Sequence, residues 1–150
     1  MISKDVKETS EIAKKFLVKM LKKSSTKGKA LVVCLSGDLG AGKTAFTKAI
    51  AKHLHIKNRV NSPTFVIIKK YPLKDKRYKV LFHLDAYRLK NEKELLHLGW
   101  EDIIGNREHL VFIEWPENVS KVIPANAKFV YISHTKDGYR NFKLENSSSV

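Results

Sequence analysis

The sequence predicts an α/β fold in which helices cover both faces of a mixed, largely parallel sheet, giving a three-layer α/β/α sandwich. The first observation is the octapeptide G-D-L-G-A-G-K-T from Gly37 to Thr44, which fits the phosphate-loop pattern G-x-x-x-x-G-K-[ST] between an apolar run and a helical stretch. The second is the alternation of strand-like and helix-like segments. The third is the presence of candidate hairpins, which require some antiparallel pairing. Together they predict a P-loop NTPase-like fold.

The amino-terminal third supplies the elements around this loop. Apolar residues at helical spacing predict a first helix around Glu8 to Lys22. A polar turn that ends at Gly28 separates it from a strand at Ala30 to Leu35. A second helix is then predicted from about Lys43 to His55.

The middle of the chain predicts an antiparallel hairpin followed by short helices. Pro63 excludes helix and leads into a strand at Phe65 to Ile68. The polar segment Tyr71 to Arg77 connects it to a second strand at Tyr78 to Leu84. Leucines and glutamates beyond this strand predict one or two short helices, broken near Gly99.

The last part of the chain predicts three further strands. Leu110 to Ile113 is an apolar run, and Phe129 to Ser133 and Tyr139 to Leu144 flank a turn at Asp137-Gly138. The polar residues 146–150 are expected to form a frayed tail. Because no segment resembles an interdomain linker, residues 1–150 are predicted to form a single domain.

Composition indicates a globular protein of the cytoplasm. Hydrophobic residues make up 43% of the chain and charged residues 29%, and the apolar runs are too short to span a membrane. The first residues lack the apolar core of a signal peptide. The single cysteine, Cys34, lies in a predicted strand and is expected to be a buried, inert thiol.

The charge balance leaves two interpretations open. Lys and Arg total 29 against 15 Asp and Glu, a formal net charge of +14. Such an excess favours contact with nucleic acid or with an acidic partner surface. A lysine-rich surface that only remains solvated would produce the same count, since the lysines are scattered and form no RNA-binding motif.

The phosphate loop has residue types suited to a nucleoside triphosphate with Mg²⁺. Gly37 and Gly42 let the backbone turn its N–H groups toward phosphate oxygens, and the following helix adds the positive end of its dipole. Lys43 would reach the β- and γ-phosphates, and the Thr44 hydroxyl would bind Mg²⁺. No N-K-x-D guanine-reading motif is present, which favours ATP over GTP.

Two acidic residues are candidates for the rest of the nucleotide site. Asp85 and Glu114 each follow an apolar run, and ligands gather at the carboxyl ends of such strands. One carboxylate could complete the Mg²⁺ shell and the other could orient or deprotonate the attacking water, although a strand-end acid can also be a simple turn residue. His83, with Tyr87 and Arg88, could place a donor and a cation near the γ-phosphate, or be a core histidine at a solvated strand end.

Thr64 is also open to two interpretations. It could hold a hydroxyl near the nucleotide, as switch threonines do, or belong to an ordinary Ser-Pro-Thr turn. The six histidines form no metal-ligand array with the cysteine, so no zinc site is expected.

Four motifs in this order resemble those of the TsaE family, also called YjeE. They are G-D-L-G-A-G-K-T, S-P-T-F at Ser62 to Phe65, H-L-D-A-Y-R-L at His83 to Leu89 and E-W-P-E at Glu114 to Glu117. Phosphate loops are common to many families, but the four motifs together are specific. Glu8-Thr9 and the stretch Leu98 to Glu101 also match, so the resemblance covers nearly the whole chain.

The resemblance implies a small bacterial ATPase of tRNA modification. The family serves synthesis of the threonylcarbamoyl group on the adenosine beside the anticodon, in tRNAs that read codons beginning with A. It works with the TsaB–TsaD pair, in which TsaD is the transferase, and its ATP hydrolysis supports repeated turnover of that complex. Activity of the isolated protein is expected to be weak, and tRNA to be met through the complex.

The resemblance also carries roles over by position. Mg²⁺ would be held by Thr44 and Glu114, Asp85 and Thr64 would belong to the hydrolytic and switch apparatus, and Thr9 would lie near the adenine. Many members have a second threonine where this chain has Ala45. The phosphates would be bound by the whole loop, namely Gly37, Asp38, Leu39, Gly40, Ala41, Gly42, Lys43 and Thr44.

Two other functions compete with this one. A small-molecule kinase would share the phosphate loop, but it should also carry an acceptor pocket and an arginine-rich lid, and the insertions here are short. A nucleotide-regulated RNA-binding module would use the excess of positive charge.

Overall fold

The computed structural model describes residues 1–22, 26–38, 40, 42–57 and 67–146. Within these residues, seven strands form one sheet in the order β1-β7-β6-β2-β5-β4-β3. The strands are β1 (Ile2–Ser3), β2 (Leu31–Ser36), β3 (Ile68–Pro72), β4 (Val80–Asp85), β5 (His109–Glu114), β6 (Lys128–His134) and β7 (Arg140–Asn146). The helices are α1 (Val6–Lys22), α2 (Lys43–His53), α3 (Glu92–His97) and α4 (Trp100–Ile104), with a 3₁₀ helix at Pro116–Val122.

The sheet is parallel in its centre and antiparallel at both edges. β2 pairs in parallel with β5 and β6, and β5 pairs in parallel with β4. The hairpins β3–β4 and β6–β7 and the short contact of β1 with β7 are antiparallel. The predicted mixed sheet is therefore confirmed.

Side chains of β2 alternate between two cores, which defines the three layers. Leu31, Val33 and Leu35 pack with α1 and α2, whose apolar residues include Phe16 and Phe46. The opposite face, with Val32 and Cys34, packs against the short helices α3 and α4 and the 3₁₀ helix. Alternation places every second residue of a strand on the same face, so a strand covered on both sides is apolar throughout.

Cys34 is fully buried in this central strand. Burial, assisted by the negative charge of Glu117, raises the pKa of its thiol well above the ordinary value. No helix in the described part of the chain is long and apolar enough to cross a membrane.

The predicted hairpin in the middle of the chain is present, but its first strand is displaced. Residues 65 and 66 of the predicted strand lie outside the described residues, whereas β3 extends to Pro72, into the segment expected to be a connection. Proline is tolerated here because β3 is an edge strand, where an N–H is not needed on the outer side. A backbone hydrogen bond from the Lys79 N–H to the Glu108 carbonyl oxygen then joins the start of β4 to the start of β5.

Two elements were not predicted from the sequence. β1 has only two residues, too few to show any periodicity, and is recognisable through its register with Asn141 and Arg140. The 3₁₀ helix follows Trp115, which takes left-handed backbone angles at φ 58° and ψ 50°. At the other end, Asn146 belongs to β7 and pairs with Lys128, so the frayed tail was placed one residue too early; residues 147–150 lie outside the described residues.

Candidate nucleotide-binding site

The phosphate loop joins the end of β2 to the start of α2. Gly40 and Gly42 adopt positive φ values of 77° and 113°, whereas Gly37 is not among the described glycines with positive φ. The left-handed backbone conformation expected at Gly37 is therefore found at Gly40 instead. α2 begins at Lys43 with no side-chain cap, so its first N–H groups face the loop.

The carboxyl-terminal hairpin borders this loop. A methyl group added at Gly42 would lie 2.9 Å from Cδ of Arg140, the first residue of β7. The imidazole Nε2 of His134 in β6 lies 3.2 Å from the Gly40 carbonyl oxygen. The β6–β7 hairpin therefore supports the loop from the side opposite β5.

Lys43 is anchored by its own loop. Its side chain is buried, and Nζ donates hydrogen bonds to the carbonyl oxygens of Gly37 and, at 3.3 Å, Asp38. The same ammonium lies 4.0 Å from the ring centroid of Trp115, a cation–π distance. Burial lowers the pKa of Lys43, while the carboxylates of Glu114 and other nearby acids act in the opposite direction.

The two predicted carboxylates end neighbouring parallel strands. Asp85 of β4 is the register partner of Glu114 of β5. Glu114 is 3% exposed and accepts a hydrogen bond from Nε2 of the fully buried His83 at 2.8 Å. Asp85 is less buried and accepts a bond from the Tyr87 N–H at 2.9 Å.

The environment of Asp85 favours its neutral form. Burial raises the pKa of the Asp85 carboxyl above its ordinary value, and the nearby negative charge of Glu114 adds to the rise. The N–H of Tyr87 and the cation of Lys43 oppose this change. A carboxylate with a raised pKa is a better proton acceptor than an exposed one.

Trp115 closes the site over Lys43. Its ring centroid lies 5.1 Å from that of Tyr87. The Asn118 side-chain amide donates to the carbonyl oxygens of Ala86 and Tyr87 at 2.9 and 3.2 Å, and Ser36 Oγ donates to Glu117. The 3₁₀ helix thereby fixes the ends of β2 and β4 relative to Trp115.

These residues line one cleft of about 1070 Å³. The cleft brings together six of the predicted site residues, namely Gly40, Gly42, Lys43, Thr44, Asp85 and Glu114. Among the described lining residues, six side chains are cationic and two are acidic. They are Lys7, Lys43, Lys48, Lys52, Arg88 and Arg140, against Asp85 and Glu114.

Several predicted residues lie elsewhere. The Thr9 hydroxyl is buried at 2.7 Å from that of Ser3, whereas its neighbours on α1 that line the cleft are Val6, Lys7 and Ser10. Gly37 and Asp38 contact Lys43 through their carbonyl groups. His83 is buried beside Glu114 and is not among the residues that line the cleft, unlike Tyr87 and Arg88. Leu39, Ala41 and Thr64 lie outside the described residues.

Other lining residues were missed by the sequence reasoning. Arg140 lies almost one hundred positions from the loop it touches, and nothing in its local sequence indicates this contact. Lys48 and Lys52 are one helical turn apart on α2, a spacing that could have placed them on the same side as Thr44.

The oxygen ligands present fit Mg²⁺ better than a softer metal. Thr44 and Glu114 line the same cleft and supply a hydroxyl and a carboxylate. Mg²⁺ takes few protein ligands and completes its shell with water and phosphate oxygens. The described residues include no group of three or more His, Cys, Asp or Glu that could hold a metal ion.

Comparisons with known proteins point to one family. The family model of "Threonylcarbamoyl adenosine biosynthesis protein TsaE" matches residues 3–142. The chain is 34% identical over 131 residues to the tRNA threonylcarbamoyladenosine biosynthesis protein TsaE of Haemophilus influenzae, covering 87% of this chain and 78% of that protein. It is 38% identical over 109 residues to the protein of the same name from Bacillus subtilis, covering 73% of this chain and 65% of that protein.

A solved structure has the same architecture. The crystal structure of YdiB from Bacillus subtilis aligns with a TM-score of 0.74 and 28% sequence identity. The alignment covers 98% of this chain and 84% of that one.

Proposed function

The chain belongs to the TsaE family of threonylcarbamoyl adenosine biosynthesis proteins, and from this we propose that it is a Mg²⁺-dependent ATPase of tRNA modification. It would support threonylcarbamoylation of the adenosine next to the anticodon, acting with the TsaB–TsaD transferase complex. tRNA would be met through that complex. On this proposal the protein would act in the cytoplasm.

One observation carries the proposal most directly. The phosphate-loop residues Lys43 and Thr44, at the start of α2, share a cleft with the strand-end acids Asp85 and Glu114. Nucleoside triphosphate hydrolysis requires these components together: a phosphate cradle with a cation, a metal site and a group that orients water. An ordinary glycine-rich turn would not require two strand-end carboxylates beside it.

The loop would bind the phosphates through backbone and charge. The N–H groups around Gly42 and at the start of α2 favour an anion there, as helix starts do. Lys43 Nζ now donates to carbonyl oxygens of the loop, and it would exchange these acceptors for phosphate oxygens. The exchange keeps the buried ammonium hydrogen-bonded throughout.

Thr44 and Glu114 would hold Mg²⁺, and the ion would neutralise charge on the β- and γ-phosphates. Asp85, beside Glu114, would orient a water molecule and accept its proton. The raised pKa of Asp85 supports this role, because a proton acceptor works best when its pKa approaches the working pH. We assign Thr64 to the same hydrolytic apparatus on the family resemblance.

The base would lie against Val6 and Ser10 of α1. Both residues line the cleft, and Val6 offers an apolar side chain that is 76% exposed. Thr9 lies between them in sequence, and we propose that it acts near the adenine by fixing this first turn of α1 through its bond to Ser3.

The proposal is tested by ATP turnover of the purified protein, alone and with the matching TsaB–TsaD pair, with and without tRNA. We expect slow hydrolysis alone and a large rise when the pair is added. No response to the pair, together with transfer of phosphate to a small-molecule acceptor, would instead establish a kinase. An absence of both hydrolysis and nucleotide binding would refute the proposal altogether.

A further inference from the structure

The hydrogen bond from His83 to Glu114 is a buried contact that the proposed ATPase cycle does not by itself require. His83 is fully buried and Glu114 is 3% exposed, and His83 Nε2 lies 2.8 Å from Glu114 Oε2. The two residues come from adjacent parallel strands, with His83 paired to Phe112 and Asp85 paired to Glu114. His83 therefore lies beside Phe112, two residues before Glu114 along β5 and further from the strand end.

The direction of the hydrogen bond is fixed by chemistry. A carboxylate only accepts hydrogen bonds, so Nε2 of His83 carries the proton and donates it. The other ring nitrogen, Nδ1, is buried without a hydrogen-bond partner among the described residues. Leaving a buried polar atom without a hydrogen-bond partner destabilises the folded state, a cost that an apolar side chain would avoid.

Packing alone therefore does not explain a histidine at this position. The neighbouring inward residues on the same face, Leu81 and Phe112, are apolar and belong to the α1–α2 core. What His83 adds to that core is one N–H aimed at Glu114. A glutamate side chain has three rotatable bonds, and a bond to a rigid, enclosed ring restricts them.

We propose that His83 is a positioning residue for Mg²⁺: its Nε2–H holds the Glu114 carboxylate in the orientation that binds the ion. This inference rests on the proposed function, which makes Glu114 a metal ligand. Loss of a group that hydrogen-bonds to a metal ligand typically lowers metal affinity 10- to 100-fold. His83 itself touches neither nucleotide nor metal, because it does not line the cleft.

Three substitutions separate positioning from packing. His83→Phe keeps a ring and removes the donor. His83→Gln extends its amide nitrogen to about the place of Nε2, whereas His83→Asn, one methylene shorter, reaches only the place of Nδ1. Gln and Asn are equally polar, so a difference between them reports the donor's position.

The measurement is Mn²⁺ binding, as a paramagnetic substitute for Mg²⁺, followed by electron paramagnetic resonance in the presence of a non-hydrolysable ATP analogue. The affinity for a fluorescent ATP analogue is measured in parallel without metal, in excess EDTA. Thermal unfolding checks that each variant is folded. We expect the Phe and Asn variants to bind Mn²⁺ about 10- to 100-fold more weakly. The Gln variant should stay within about threefold of the parent, and metal-free nucleotide affinity within about twofold in all three.

Equal Mn²⁺ affinity in all four proteins would overturn the proposal while leaving the ATPase assignment intact. So would a Gln variant as weak as the Asn variant. If His83→Phe does not fold, the Gln and Asn pair decides; if neither Phe nor Asn folds, the bond serves stability and the proposal is wrong. Failure of the parent protein to bind nucleotide and Mn²⁺ together would refute the proposed function and this inference with it.

Discussion

At the scale of single residues, Lys43 shows how a buried cation is kept ready for an anionic ligand. Its ammonium is enclosed by carbonyl oxygens of the loop and by the face of Trp115, none of which carries a full negative charge. Phosphate oxygens would be stronger acceptors than these groups, because they would place a full negative charge opposite the ammonium and form an ion pair with it. The lysine is therefore anchored without being neutralised.

We expect Lys43→Ala to weaken nucleotide binding by at least about 100-fold, since it removes the cation that contacts the β- and γ-phosphates. Titration with a fluorescent ATP analogue measures the loss, and circular dichroism checks that the fold is kept. Lys14→Ala, at an exposed position of α1, is the matched control and should bind as the parent does. Unchanged affinity in Lys43→Ala would rule out the phosphate-loop assignment.

Ionised Asp85 lowers the stability of the folded protein, although the proposed hydrolysis requires this carboxylate. Burial and the charge of Glu114 raise its pKa, so the ionised form is disfavoured in the folded protein. Asp85→Asn keeps an oxygen to accept the Tyr87 N–H and removes the charge. We expect a higher melting temperature at neutral pH, with partner-stimulated ATP turnover reduced about 100-fold or more.

The sign of the pH dependence follows from linkage. A carboxyl whose pKa is higher in the folded than in the unfolded state binds its proton more tightly when folded, so its ionisation costs stability as pH rises through that raised value. The advantage of Asp85→Asn should therefore be largest at neutral pH and vanish below the ordinary aspartate pKa of about 3.9. Melting curves of both proteins between pH 3.5 and 7.5 would show it; a variant less stable at every pH would contradict the argument.

At the scale of elements, the phosphate loop depends on a backbone shape that only glycine takes easily. Gly42 has a φ of 113°, and an added methyl group would lie 2.9 Å from Arg140 Cδ. We expect Gly42→Ala to lower the free energy of unfolding by about 1–2 kcal/mol. Nucleotide affinity should fall about tenfold or more, because relief of strain would turn the loop N–H groups away from the phosphates.

Gly28→Ala is the matched control for that substitution. Gly28 has a φ of 82° with nothing within 4 Å of an added methyl group, and it lies in the turn before β2, at the other end of this strand from the phosphate loop. In denaturant unfolding, Gly28→Ala should lose about as much free energy of unfolding as Gly42→Ala, but it should keep the nucleotide affinity of the parent. If both alanine variants bind nucleotide like the parent, the loop tolerates reshaping and the backbone argument is wrong.

The central elements could be predicted from the sequence because their signals are local. β2, the phosphate loop and α2 are adjacent in the chain, and Asp85 and Glu114 could be placed at strand ends from apolar runs alone. β3 was displaced because an edge strand accepts Pro72 and needs no long apolar run. β1 and the contacts of Arg140 and His134 with the loop join distant parts of the chain, and local patterns carry no information about such pairings.

Roles within the site were harder to predict than its location. The sequence left two interpretations of His83 open, a donor near the γ-phosphate and a core histidine at a strand end, and the structure buries the side chain. Its burial and its bond to Glu114 depend on the register between β4 and β5, which the sequence does not specify. The same limit applies to Thr9, whose bond to Ser3 is set by the turn between β1 and α1.

At the scale of the whole molecule, positive charge is concentrated where an anionic ligand would enter. Among the described residues, six cations line the cleft, including Lys7, Lys48 and Lys52, against two acids. Part of this excess suits a nucleotide, and the rest of the formal charge of +14 is spread over the surface. A field of this sign attracts polyanions at long range and raises their rate of encounter.

We expect the isolated protein to bind tRNA weakly, without sequence preference and with a steep dependence on salt. If about four to six phosphates are neutralised, affinity should fall roughly 100- to 1,000-fold between 50 and 200 mM KCl, because counterion release supplies the binding free energy. Fluorescence anisotropy of labelled tRNA measures this, and labelled poly-glutamate is titrated in the same way to stand for an acidic protein surface. Binding of poly-glutamate without binding of tRNA at 50 mM KCl would assign the charge to acidic partners instead. If the salt dependence of the affinity corresponds to fewer than one neutralised phosphate, the lysines only keep the surface solvated.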